Sequence, residues 1–101
     1  MYKGYDLLGL AQRAGKAQSG ETAAEAMIKK DKARLVIVAK DASEKTKRNF
    51  TTMASSHKTK WIEAGEKLLL GTALGRSPRS VVVITDDNFA SRLHQLFGGE
   101  E

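Results

Sequence analysis

Cysteine is absent from all 101 residues. That excludes disulfide staples, thiolate zinc sites and a thiol nucleophile together, and it fits a reducing compartment. Proline occurs once, at Pro78. Aromatics make up only 6% of the chain. Phe50, Phe89 and Phe97 read as core, Trp61 falls on a short strand, and Tyr2 and Tyr5 lie on or next to the first helix. Little is left for a platform on which single-stranded bases could stack. Nowhere do the roughly 18 consecutive apolar residues of a membrane span occur. The opening "MYKGYDLLGLAQRAGK" is broken by Asp6, Gln12 and Arg13 and has no signal-peptide apolar core. These absences lead to the expectation of a cytoplasmic protein without a membrane partner. The length suits a single domain spanning residues 1–101.

Charge is abundant and uneven. The net charge is +5. Residues 29–60 hold ten Lys/Arg against Asp31, Asp41 and Glu44, a surplus of seven. Residues 61–101 hold four against six, and residues 1–28 balance at three each. A basic middle suits a polyanionic partner, because clustered Lys/Arg release counterions from phosphates. Solvated helix faces kept soluble by lysine would give the same count.

Helical and strand patterns alternate along the chain. Leu7, Leu8, Leu10, Ala11 and Ala14 have helical spacing over 3–14, and Gly15 follows as a stop. "ETAAEAMIKK" at 21–30 is made of good helix formers, with glutamate early and lysine late. Leu35–Ala39 is a continuous apolar run, the mark of a strand covered on both faces. Ser43 reads as the N-cap of a helix over 44–56 that buries Thr46, Phe50, Met53 and Ala54. "KWI" at 60–62 reads as a short strand, 64–71 as a short helix closed by Gly71, and 80–85 as another buried strand. A last helix, capped by Asp86 or Asp87, carries Phe89, Leu93, Leu96 and Phe97 on one stripe. The alternation predicts an α/β domain with helices on both faces of the sheet.

"GKAQSGETAAEA" at 15–26 superficially suggests a phosphate loop. A Walker A loop needs Lys and Ser/Thr after its second glycine, and here Glu21 follows Gly20. What remains is a helix start with outward N–H groups, capped by Ser19 or by Thr22 in a Thr22-x-x-Glu25 box. His57 and His94 stand far apart in sequence, with no carboxylate at ligand spacing, and read as a surface and a helix-face histidine. Asp41, Asp86 and Asp87 each follow a strand, where α/β sites cluster, but each also suits a helix cap. No catalytic residue, metal site or cofactor is expected, and the chain does not read as an enzyme.

Taken together, "LLGLAQRAGKAQSGE", "KARLVIVAKDASEKTKRNF" and "LGTALGR…VVVITDDNFASRL" resemble the L-seven-Ae ribosomal protein family, in particular its small bacterial YlxQ-type branch. The resemblance runs from Leu7 to about Leu96. It implies a three-layer α/β/α sandwich around a four-stranded mixed sheet, no catalysis, and binding of kink-turn RNA. The family's reader motif, Gly-x-Asn-Glu-x-x-Lys, aligns its glycine with Gly20. Thr22, Ala23 and Ala26 then stand at the asparagine, glutamate and lysine positions. The second RNA-facing loop maps onto Lys40, Asp41 and Ser43. The third, usually apolar, maps onto Gly75, Arg76, Ser77, Pro78 and Arg79, with the arginines offering phosphate contacts.

The expectation is therefore a non-enzymatic monomer that binds structured RNA, kink-turn-like or ribosomal, with ribosomal proteins as possible further partners. Lys16, Ser19, Gly20, Glu21, Thr22 and the two later loops would form one edge. The alternative is a protein-interaction module on the same fold, without specific RNA readout. The replaced reader side chains favour that alternative; the basic middle and the loop arginines favour RNA.

Overall fold

The two apolar runs, Leu35–Val38 and Val81–Ile84, pair with each other in antiparallel fashion at the centre of the sheet. In the computed structural model, which describes residues 3–98, the element order is α1 (Lys3–Arg13), β1 (Ala17–Ser19), α2 (Glu21–Lys29), β2 (Leu35–Val38), α3 (Glu44–Ser56), β3 (Lys60–Glu63), α4 (Lys67–Ala73), β4 (Val81–Ile84) and α5 (Asp87–Gly98). Tyr2 lies outside the described residues. The strand order is β1-β4-β2-β3. β4 runs antiparallel to both neighbours, while β2 and β3 are parallel and joined through α3. The sheet is mixed, with the expected four strands.

Both central strands are buried along their whole length, so each must be covered on two faces, as their unbroken Val/Ile/Leu composition demands. α2 and α3 pack together over one face, and α5, grouped with α1 and α4, covers the other. The result is the three-layer α/β/α sandwich. Leu8 of α1, Ile28 of α2, Phe50 of α3, Leu70 of α4 and Leu93 of α5 are all buried; each helix sends its apolar stripe inward. Tyr5 and Phe97 meet edge to face, with ring centroids 5.4 Å apart, and fasten α1 to α5. Met53, Phe89 and Ile62 are only partly buried against this core. Among the described residues no helix is long and apolar enough to cross a membrane.

Two features depart from the sequence pattern. Residues 17–19 form strand β1 although "AQS" has neither apolar alternation nor β-branched side chains. Pairing with β4, from Ala17 opposite Ile84 to Ser19 opposite Val82, makes the strand. Gly71, expected to close a helix at 64–71, lies buried inside α4 instead. A methyl group there would overlap the Ser77 carbonyl oxygen and come within 2.9 Å of the Pro78 Cα. The glycine lets the 75–79 loop lie flat on the helix.

Truncating Ile37 or Val82 to alanine should each cost about 2–4 kcal/mol, through lost burial and a cavity, out of a total of about 5–15 kcal/mol. The check is the denaturant midpoint, and unchanged midpoints for both would contradict the central pairing. Gly71→Ala should cost about 1–3 kcal/mol by overpacking. It should also speed amide exchange within residues 75–79, whose support it displaces.

Candidate nucleic-acid interface

β1, β2 and β3 finish at the end of the sheet where β4 begins. Gly20 N–H donates to the Val81 carbonyl at 3.0 Å, Ala39 N–H to the Ser80 carbonyl at 2.8 Å, and Lys40 N–H to the Gly65 carbonyl at 2.9 Å. Those bonds draw residues 19–22, 39–43 and 77–81 to one edge. Ser19, Gly20, Glu21, Thr22, Lys40, Asp41, Ser43, Ser77, Pro78 and Arg79 lie there, as expected from the sequence. Gly75 and Arg76 sit about a turn back, where Arg76 N–H donates to the Gly71 carbonyl at 2.8 Å.

Lys16 does not join them. Its carbonyl accepts from Thr85 N–H at 2.9 Å, beyond the opposite end of β4. The reason is β1: an extended segment advances about 3.3 Å per residue, so Lys16 lies roughly 13 Å from Gly20 along the strand.

The start of α2 differs from the expected cap. Gly20 is the N-cap, with φ 97° and ψ 155° and no side-chain capping bond. Neither Ser19 nor the Thr22-x-x-Glu25 box takes that role. Ser19 Oγ accepts from Arg79 Nε at 3.0 Å, and Glu25 pairs with Lys29 at 2.6 Å. The Gly20 backbone occupies a region almost closed to other residues, and a Cβ built on it would meet nothing within 4 Å. The open space lies beside first-turn N–H groups at the positive end of a helix dipole, which favours an approaching anion.

The remaining polar residues of the edge largely hold one another. Ser43 caps α3, accepting from Thr46 N–H at 3.1 Å. Its hydroxyl donates to Thr46 Oγ1 at 3.0 Å, and Thr46 donates to a Glu21 carboxylate oxygen at 3.3 Å. This chain ties the starts of α2 and α3. Asp41 does act as a cap, but for α4: its Oδ1 accepts from Lys67 N–H at 2.9 Å. Tyr5 Oη accepts from Glu66 N–H at 3.1 Å and fixes the same corner. Neither long-range contact has a local signal in the sequence. Arg79 Nη1 donates to Ser77 Oγ at 2.8 Å, so its guanidinium is pre-aimed between the loops. Lys47 is occupied by Glu63 at 2.9 Å. The hydrogen bond to Glu63 holds its ammonium above the ordinary lysine value.

At the other end of the molecule, Asp86 caps α5, accepting from Phe89 N–H at 3.0 Å. His57 and His94, read as two unrelated histidines, line the same cleft there. The fold also gives His57 the carboxylate partner that sequence spacing did not, Asp31 Oδ1 at 3.0 Å. Among the described residues no group of three His, Cys, Asp or Glu side chains could hold a metal ion. What the edge presents is cations, backbone N–H groups and open space. Such a set suits phosphate and shape recognition more than base-edge readout.

The family model of the ribosomal protein L7Ae/L30e/S12e/Gadd45 family matches residues 2–94. The chain is 36% identical over 92 residues to the RNA-binding protein YlxQ of Bacillus subtilis, covering 91% of this chain and 92% of that protein. To the RNA-binding protein YlxQ of Enterococcus faecium it is 37% identical over 97 residues, covering 96% and 93%. Among solved structures, a protein of unknown function from Bacillus halodurans superposes with a TM-score of 0.90 at 30% identity, covering 95% of this chain and 97% of that one. The Giardia lamblia 15.5kD RNA binding protein gives 0.78 at 22% identity, covering 94% and 82%, and shares the fold. With the family model matching almost end to end, and relatives above 30% identity over nine-tenths of its length, this chain belongs to the ribosomal protein L7Ae/L30e/S12e/Gadd45 family.

Proposed function

We propose that this protein is a non-enzymatic binder of structured RNA, ribosomal or kink-turn-like, working in a ribosomal or ribosome-associated particle in the cytoplasm. The observation that carries the reading is the convergence of the uncapped α2 start, the Lys40–Ser43 loop and Arg79 on one edge. The names of the YlxQ relatives, both RNA-binding proteins, support it. Phosphates approach Gly20, where no side chain intervenes, and Lys40, Arg76 and Arg79 supply the charge. Thr22 is exposed and Ala23 and Ala26 half-exposed, so the positions of the base readers face outward with little to donate or accept. Recognition then rests on backbone shape.

The apolar groove between α1 and α4, lined by Tyr5, Leu10 and Leu69 among others, favours a second reading as a protein-docking module. Leu10 is 49% exposed and Leu69 41%. Ribosomal proteins are the partners that this reading suits.

Fluorescence anisotropy against a kink-turn RNA and a plain duplex of equal length tests the first reading. Affinity should fall log-linearly with salt, by about 0.7–0.9 in slope per phosphate contact. Arg79→Ala should weaken binding to both RNAs alike and leave their ranking unchanged. Affinity indifferent to salt and to Arg79→Ala would remove the edge from the mechanism. Thr22→Asn, Ala23→Glu and Ala26→Lys together should raise preference for the kink-turn, each good contact adding about 1–3 kcal/mol by analogy with DNA readout. A triple variant with unchanged preference would mean that α2 does not face base edges.

A further inference from the structure

The cations that make the middle of the chain basic are mostly not at the edge just described. Of the ten between residues 29 and 60, Lys29, Lys30, Lys32, Arg34, Lys58 and Lys60 lie at the opposite end of the sheet, around the end of α2, the end of α3 and the starts of β2 and β3. Lys16 joins them through its bond to Thr85. Seven cations there face Glu25, Asp31, Asp86 and Asp87, a surplus of three, with both histidines left out of the count. At the first edge Lys40, Lys45, Lys47, Lys67, Arg76 and Arg79 face Glu21, Asp41, Glu44, Glu63 and Glu66, a surplus of one, with Arg48 about a turn further along α3.

Helix dipoles account for part of this, since Lys29 and Lys30 end α2, where the dipole favours cations. They do not account for Lys32, for Lys60 on its strand, or for the geometry. The distal face is hollowed into a cleft of about 490 Å³ whose lining includes Arg34, His57, Lys58, Lys60 and His94. Asp31 and Lys58, the two non-glycine residues with positive φ among those described (57° and 56°), both line it. Both are the left-handed residues that end helices: Asp31 and Lys32 N–H return to the Ile28 and Met27 carbonyls after α2, and Lys58 and Thr59 N–H to the Ser55 and Ala54 carbonyls after α3, so both helices finish at the rim of the cleft. Arg34 is fixed there by the Asp31 carbonyl at 3.0 Å and by Asp87 at 3.4 Å. Lys16, Lys30, Lys32, Lys58 and Lys60 are exposed. Among the described residues none of these five has a carboxylate within ion-pair distance.

We infer that this distal face is a second RNA-phosphate surface, and that one molecule bridges two RNA segments. The inference rests on the RNA-binding reading of the first edge. Arg34 and Ala39, on either side of β2, are five residues apart, roughly 17 Å at about 3.3 Å per residue. A rigid RNA helix gripped at one end leaves the other facing outward. Unpaired lysines around a cleft suit a phosphate backbone read without sequence preference.

The test uses the full chain, a biotinylated kink-turn RNA on a surface, and a fluorescent 20-base-pair RNA duplex in solution. The parent should carry the duplex onto the surface. Replacing Lys30, Lys32, Lys58 and Lys60 with glutamine leaves the core untouched. It should abolish carriage while keeping kink-turn binding, with the salt slope for the duplex shallower by about 3 at about 0.7–0.9 per contact. Arg76→Ala with Arg79→Ala should instead weaken capture of the kink-turn itself. If the quadruple variant carries the duplex as the parent does, the distal face holds no RNA, and the first-edge reading is unaffected. If only the arginine variant is without effect, the first-edge reading fails and the bridging inference falls with it, the distal face remaining as a single RNA surface. Capture of a polyglutamate peptide in place of the duplex would make the face a dock for an acidic protein and overturn the inference.

Discussion

The antiparallel pairing of β4 with β2, flanked by β1, is the constraint from which the rest of this molecule follows. β4 is the last strand in sequence and occupies an interior place in the sheet, antiparallel to both neighbours. Inserting it there brings the end of β1 and the end of β2 to its start. The N–H groups of Gly20 and Ala39 bond to the carbonyls of Val81 and Ser80. The loops of the candidate edge are distant in sequence and adjacent in space because of this strand. Its four buried residues also supply the middle of the core, so stability and the geometry of the edge share one origin.

Around that frame, polar side chains are spent on holding loops rather than on waiting for a ligand. Asp41 reaches across to α4, Ser43 and Thr46 join α3 to Glu21, and Ser19 anchors Arg79. A loop fixed this way has little entropy left to lose on binding, which is how preorganisation raises affinity without added contacts. Gly71 belongs to the same arrangement. Its missing side chain lets the arginine-bearing loop rest on α4.

The charge is arranged differently from the loops. The edge that converges is nearly balanced, while the opposite end, where α2 and α3 finish, holds more of the basic residues. A net charge attracts polyanions from a distance, but which surface receives them depends on where the charges sit. In this fold both ends of the sheet are polar, and both are open.

Much was legible in the sequence because it depends on local pattern. The unbroken apolar runs at 35–38 and 81–84 required burial on both faces. Helical spacing, with Ser43 as one cap and Asp86 or Asp87 as the other, fixed the starts of α3 and α5, and the alternation of elements fixed the layered class. The resemblance carried by "AGK…SGE", "LVIVAKDAS" and "LGTALG" added the fourth strand and the expected edge. What the sequence left undecided were properties of distance and partnership. "AQS" has no strand pattern, because its partner β4 makes it a strand, and that strand carries Lys16 away from Gly20. Gly71 reads as a helix stop until a loop is seen to lie against it. Ser19 is a plausible cap until Arg79, sixty residues later, takes its hydroxyl. The surplus of positive charge was visible from the start. Only the turn of the chain after α2 and α3 decided that most of it would stand at the far end of the sheet, because side chains carry their charge wherever the backbone ends.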